Sequence, residues 1–264
     1  MSSPRLAPSM ARAATGPVAN RSVLRALSIL DLLSRNEGQM TLVEVATQLK
    51  IPKSSALTVL RALVSAEFCA SDDRGHYRLG VRSFEVGAAY LRSMTPVRSA
   101  TPELEHLTDS LGVTSHFAVL DHDEVVYLAK HDPPGLGLKL ASSLGARLPA
   151  AVTAVGKAQL AFRSPPPRGA GGLDLQLQEV RAVGYAVDDG ETAMGIRCVA
   201  APLFNDRGCC GAIGVSYLLG SPAGLTGVEQ AVLEAAARAS ARLGGGAAGG
   251  PGPARRPGAE VGPR

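Results

Sequence analysis

Ser54, Ser55, Thr58 and Arg61 fall on the outward side of one short helical stretch. Short hydroxyls beside an arginine are the side chains that hydrogen-bond base edges and phosphates in a major groove. The inward side of that stretch carries Ala56, Val59, Leu60, Leu63 and Val64 at i, i+3, i+4, i+7 and i+8, which buries one face and leaves the polar one, with Leu57 on it, to solvent. Lys53 opens the stretch with a further positive charge, and Arg74, His76 and Arg78 lie beyond it on a predicted β-ribbon, free to meet phosphate.

Presenting such a face takes a small helical core. Thr41 precedes Glu44 by three positions, so hydroxyl and carboxylate each cap a backbone N–H, and Leu42, Val45, Ala46 and Leu49 then form one apolar stripe. Ile51 and Pro52 end this helix, because a residue before proline is driven out of the α region; the next begins at Lys53 or Ser54. An earlier helix, Ser22 to Ser34, places Val23, Leu27, Leu30 and Leu33 on one side to close a three-helix core. After Phe68, Asp72-Asp73-Arg74-Gly75 forms a turn and His76 to Leu79 alternates, with Tyr77 and Leu79 inward. Met40 to Gly80 therefore reads as a winged helix-turn-helix. A helical hairpin with a ribbon also serves as a packing or dimerisation module, but the complete winged unit is the more specific pattern.

The charge is distributed to match. The net +4 of the 264 residues divides into +5 over residues 1–92, with 12 basic against 7 acidic side chains, −3 over 93–242 and +2 over 243–264. With 45% hydrophobic and 19% charged residues the chain is globular, long enough for two domains, and holds no apolar run near the roughly 18 residues that span a bilayer. Met1 to Asn20 has no apolar segment of the signal-peptide kind, and a cytoplasmic location is expected. Cys69, Cys198, Cys209 and Cys210 show no zinc spacing and read as thiols in strands. Cys209 and Cys210 point to opposite faces, so that they do not pair and one is exposed and oxidisable. No metal site, cofactor or catalytic residue is expected. An enzyme built on Cys198, His116 and Lys157 lacks the nucleophile elbow, phosphate loop or metal spacing that would accompany it.

Beyond Gly80 the organisation changes. Val81 to Ser93 is helical until Thr95-Pro96 interrupts it, and a second helix is capped by Thr101 with Pro102 at its first position and Leu104, Leu107 and Leu111 apolar. Strand-like runs follow at 116–120, 125–129 and 136–140, a helix at Gly156 to Phe162, strands at Tyr185 to Val187, Cys198 to Leu203 and Ala212 to Leu218, and a closing helix from Thr226 to Leu243. That order predicts an α+β domain, an antiparallel sheet with helices on one side or at the ends. The expected division is a disordered arm at 1–20, the winged helix-turn-helix DNA-binding domain at 21–80, a linker helix at 81–100, the sheet domain at 101–243 and a disordered tail at 244–264, in which Arg255 and Arg256 could add nonspecific DNA affinity. At Gly156-Lys157 the free N–H groups of a helix start suit a carboxylate.

From about Arg21 to Leu243 the chain resembles the IclR family of transcriptional regulators. The resemblance rests on IPKSSALTVLRAL and HYRLG in the reader, LPAAVTAVGKAQLAF at Leu148 to Phe162, GYAVDDGE at Gly184 to Glu191 and GIRCVAAPLF at Gly195 to Phe204. It implies a GAF-like effector-binding C-terminal domain, homodimers or homotetramers, a double-stranded DNA operator and control of a nearby catabolic operon by a small organic acid or aromatic metabolite. Carried over position by position, it implies effector contacts from Leu148, Ala154, Val155, Asp188, Ile196, Cys198 and Ser216, with Asp188, Cys198 and Ser216 the polar ones.

Three departures qualify the expectation. Leu57-Thr58 stand where members often carry a histidine or other polar residue followed by arginine, which shifts weight to Arg61, Lys53 and the wing. Between Phe162 and Val180 the chain is shorter than is usual, with Pro165-Pro166-Pro167 and a glycine-rich run. Gly214 stands where a hydroxyl often faces the ligand. The alternative is therefore a DNA-binding regulator of the same fold whose effector sensing is lost or altered.

Overall fold

Asn20 accepts hydrogen bonds from the Ser22 and Val23 N–H groups and so starts helix α1 (Arg21–Arg35) in this computed structural model, which describes residues 20–36, 38–135, 142–164, 172–220 and 227–245. The readings made for the two ends, for the run at 136–140 and for the Pro165–Pro167 stretch lie outside the described residues, apart from Asn20, Gly244 and Gly245. The chain divides into two compact units, residues 1–91 and 92–264.

In the first unit, α1 is followed by strand β1 (Met40–Thr41), helices α2 (Leu42–Gln48) and α3 (Lys53–Ser65), strands β2 (Cys69–Ser71) and β3 (His76–Leu79), and helix α4, which runs from Val81 to Ser93. The Thr41–Glu44 capping box is present. Lys50, with φ of 53°, ends α2: Ile51 N–H donates to Ala46 O and Lys50 N–H to Thr47 O, a Schellman closure that lets α3 start at Lys53. The core is Ile29, Leu32, Leu33, Met40, Val45, Leu60, Leu63 and Cys69. The face of α1 agrees with expectation at Leu30 and Leu33, which pack in the core, and differs at Val23 and Leu27, which are exposed while Ile29 and Leu32 are buried. The helix carries two overlapping apolar stripes, and its packing on α3 selects between them. The wing differs too, because β1 joins the ribbon in a three-stranded antiparallel sheet of order β1-β3-β2, with Met40 opposite Tyr77 and Cys69 opposite Leu79.

The second unit begins with helix α5 (Thr95–Leu111), which starts six residues before the expected Thr101 cap. Pro96 is its early proline, whereas Pro102 lies inside it and the Thr101 hydroxyl donates to Val97 O. Then come strands β4 (Thr114–Asp121), β5 (Glu124–His131) and β6 (Arg147–Pro149), a 3-10 turn (Ala150–Val152), helices α6 (Ala154–Leu160) and α7 (Gly172–Val183), strands β7 (Ala186–Asp189), β8 (Ile196–Asn205) and β9 (Gly208–Leu218), and helix α8 (Val228–Arg242). The six strands form one antiparallel sheet of order β6-β5-β4-β9-β8-β7. Strand alternation sends Ala118, Tyr127, Ala200 and Ala212 into a core shared with α6 and α7. On the opposite side α5 and α8 pack against each other and against β4 and β8.

The α5–α8 contact is pinned by charge. Glu103, 5% exposed, accepts hydrogen bonds from Arg238 Nε at 2.8 Å and Arg242 at 2.6 Å, and Arg242 also donates to Ser99 O at 2.8 Å. Burial raises the Glu103 carboxyl, but the bonds from Arg238 and Arg242 outweigh it and hold it below the usual carboxylate range. A lowered carboxylate adds stability above the unfolded-state value near 4.3, and that stability is lost as pH falls through the lower folded-state value. We expect thermal melts to show the second unit weakening below about pH 4.3. Glu103→Gln should cost about 1–2 kcal/mol at pH 7, where both arginines remain half-exposed, and should flatten the acid limb.

Candidate functional site

Lys53, Ser54, Thr58 and Arg61 are exposed along α3, and Ser55 and Leu57 are half-buried beside them. Lys53, Arg61, Arg74 and Arg78 are all exposed, and none makes an ion pair with a described residue. Their charge is free for an anionic partner. One of the expected contacts differs. His76 is not free: its Nδ1 lies 3.2 Å from Asp72 Oδ2, and Asp72 also accepts from the Arg74 and His76 N–H groups, so these two residues hold the wing turn. The Thr58 hydroxyl donates to Ser54 O at 3.0 Å, which leaves its lone pairs as the outward function.

The second unit contains a pocket where the start of α6 meets strands β4, β8 and β9. All seven residues expected from the resemblance, Leu148, Ala154, Val155, Asp188, Ile196, Cys198 and Ser216, line it, together with His116, Tyr127, Ser142, Thr153, Thr192 and Ala193. The cavity volume is about 30 Å³, room for one or two water molecules. Cross-strand register explains the grouping. Cys198 faces Ser216, and Ser216 faces Thr114; one pair along, Gly214 lies between His116 and Ala200.

The polar groups expected to read a ligand are largely engaged. Asp188 accepts from Glu191 N–H at 2.7 Å, from Thr192 N–H at 3.2 Å and from the Thr192 hydroxyl, and so holds the 190–195 loop, which glycines of positive φ bound at both ends. Lys157, 1% exposed, pairs with Glu191 and donates to Val187 O at 3.2 Å. Cys198 Sγ and Ser216 Oγ are 3.1 Å apart. The helix start does not offer the free N–H groups expected at Gly156 and Lys157: these donate to Thr153 Oγ1 and Thr153 O.

None of the thiols is poised to react. Burial pushes Cys198 up to about 11, against a hydrogen bond with Ser216, and it pushes Cys209 up to about 12 and Cys210 to about 11. Cys209 and Cys210 are both half-buried and desolvated, so the expectation of one exposed, oxidisable thiol is not met.

Sequence comparison agrees with this geometry. The family described as "IclR helix-turn-helix domain" matches residues 22–73, and "Bacterial transcriptional regulator IclR C-terminal" matches residues 88–167 and 170–243. The chain belongs to the IclR family of transcriptional regulators. Among its relatives, the HTH-type transcriptional regulator BhcR of Paracoccus denitrificans is 31% identical over 255 residues, covering 82% of this chain and 85% of that protein. The transcriptional repressor IclR of Escherichia coli is 28% identical over 215 residues, 74% and 77% of the two chains. An IclR-family regulator from Alicyclobacillus acidocaldarius, known from its crystal structure, superposes with a TM-score of 0.72 at 30% identity over 85% of this chain and 99% of its own. The family comprises regulators, not enzymes, and no helix among the described residues is long and apolar enough to cross a membrane.

Residue reading missed Tyr127, Ser142, Thr153, Thr192 and Ala193 as lining, and placed His116 only in a discarded catalytic set. Gly214 was the signal available for His116. A strand glycine marks a close approach, and a Cβ there would lie 2.8 Å from His116 Nε2. Gly156 is the other constrained position, because a Cβ on it would overlap the Ala150 carbonyl. We expect Gly156→Ala to destabilise the second unit by about 1–3 kcal/mol in urea unfolding, with the winged unit's own spectroscopic signal unaffected.

Proposed function

We propose that the protein is a cytoplasmic homodimer or homotetramer that binds an operator near a catabolic operon through the α3 face and the wing. A small organic acid or aromatic metabolite in the second-unit pocket sets its operator affinity. The observation that carries the reading is the set of exposed, unpaired cations Lys53, Arg61, Arg74 and Arg78 around the polar side of a complete winged helix-turn-helix. Ser54, Ser55, Thr58 and Arg61 supply groove contacts, Lys53, Arg74 and Arg78 phosphate contacts, and His76 acts through the wing turn. In a dimer two such faces read half-sites about 34 Å apart. A ligand moves that equilibrium only by binding its two conformations unequally.

A second reading, that effector sensing has been lost or altered, draws support from the small cavity and from the engagement of Asp188 with its own loop and of Cys198 with Ser216. The two readings differ in ligand response and share the DNA-binding face. Arg61→Ala is expected to weaken binding to an operator-bearing duplex roughly tenfold, the 1–3 kcal/mol scale of one base contact, while sedimentation shows the oligomer unchanged. Titration at fixed salt checks this, and an unaltered affinity removes Arg61 from the interface.

A further inference from the structure

Among the described residues, three buried side-chain atoms have no hydrogen-bond partner: His116 Nδ1, Ser142 Oγ and Arg197 Nε. Two of the three residues, His116 and Ser142, line the same pocket, and Arg197 does not. His116 is 2% and Ser142 5% exposed. A buried polar atom left unpaired is destabilising, and such atoms gathered on one cavity are what a ligand's polar group would satisfy. Two of the pocket's other polar groups are already engaged. Asp188 is occupied by its own loop, and Ser216 is paired with Cys198.

Gly214 makes the arrangement possible. It lies opposite His116 across the β4–β9 ladder, and any side chain there would meet His116 Nε2 at 2.8 Å. The imidazole ring therefore takes the space above that strand, with its edge against Tyr127 at 5.2 Å between ring centroids. Where family members often carry a hydroxyl on β9, this chain has Gly214 and supplies an imidazole from β4.

We propose that His116 and Ser142 are the specificity-determining contacts of the pocket and that they recognise a hydroxyl group of the effector. Burial, with Lys130 adding to it and Asp132 opposing, pushes His116 down to about 3, so the ring is neutral and presents one donor and one acceptor. Serine likewise donates and accepts, and a hydroxyl is the group that can answer both at once. Among the described lining residues Asp188 is the only carboxylate and none is a lysine or arginine. This assignment rests on the pocket being an effector site.

The test is a thermal-shift and calorimetric titration of the full chain with three matched pairs: phenol and toluene, 4-hydroxybenzoate and benzoate, glycolate and acetate. Wild type, His116→Phe and Ser142→Ala are compared. The first variant keeps the ring without its nitrogens, and the second removes one oxygen outside any strand or helix, so that it carries the test should the ring change prevent folding. At least one hydroxylated compound is expected to stabilise the wild type, to bind at least tenfold more tightly than its partner lacking the hydroxyl, and to lose that advantage in each folded variant. The neutral and acidic pairs distinguish a phenol or alcohol from a hydroxy acid as its source. A hydroxylated compound that binds both variants as it binds the wild type overturns the assignment and leaves effector sensing standing. Stabilisation by no member of the panel overturns both.

Discussion

Everything in the second unit depends on one short helix that has no exposed side. All seven residues of α6 are buried, and a helix can sink that far into a sheet only where a neighbouring backbone passes its axis closely. Gly156 provides the approach at Ala150, and Thr153 closes the helix start by accepting from Gly156 N–H. Lys157 is buried by the same packing and finds Glu191 and Val187 O, which anchors the 190–195 loop from below while Asp188 anchors it from the side. A pocket between helix start, loop and sheet is the consequence.

The first unit solves a different problem with fewer residues. Its core is just large enough to fix α3 and the wing, and it leaves Lys53 and Arg61 of α3 and Arg74 and Arg78 of the wing without ion-pair partners among the described residues. Ion pairing there would have lowered the field that an anionic duplex meets. In the second unit Glu103, Lys157 and Asp121 are paired or hydrogen-bonded, and among the described residues the buried side-chain atoms without a partner belong to His116 and Ser142 of the pocket and to Arg197. Unpaired charge on one unit and unpaired buried polarity in the other are the physical traces of two kinds of binding.

Much of this was legible from residue order. The Thr41–Glu44 box, the start of α3 at Lys53 and its buried stripe follow from local rules that packing did not override. On α1 the stripe Val23-Leu27-Leu30-Leu33 is met only in its second half, because Ile29 and Leu32 are equally credible core positions and only tertiary contact chooses between them and Val23 and Leu27. Thr95-Pro96 reads as an interruption and Thr101-Pro102 as a helix start, yet the helix already begins at Thr95 with Pro96 in its first turn and Pro102 lies inside it, because a proline early in a helix costs no hydrogen bond. Strand β6 and its 3-10 turn are too short, and too close to a proline, for any periodicity to register. The seven pocket positions came from family resemblance, whereas His116 and Ser142 require the β4–β9 register and the burial of each atom, which no spacing along one strand reveals.

In the proposed function the exposed face of α3 and its wing read a particular DNA sequence. The most direct measurement is in vitro selection of the purified protein against a pool of random duplexes at one fixed, physiological salt concentration. The account predicts enrichment of a single motif with two related half-sites about one helical turn apart, bound far more tightly than the starting pool. A pool whose sequence composition stays unchanged over successive rounds, with binding that only weakens as salt rises, would contradict it.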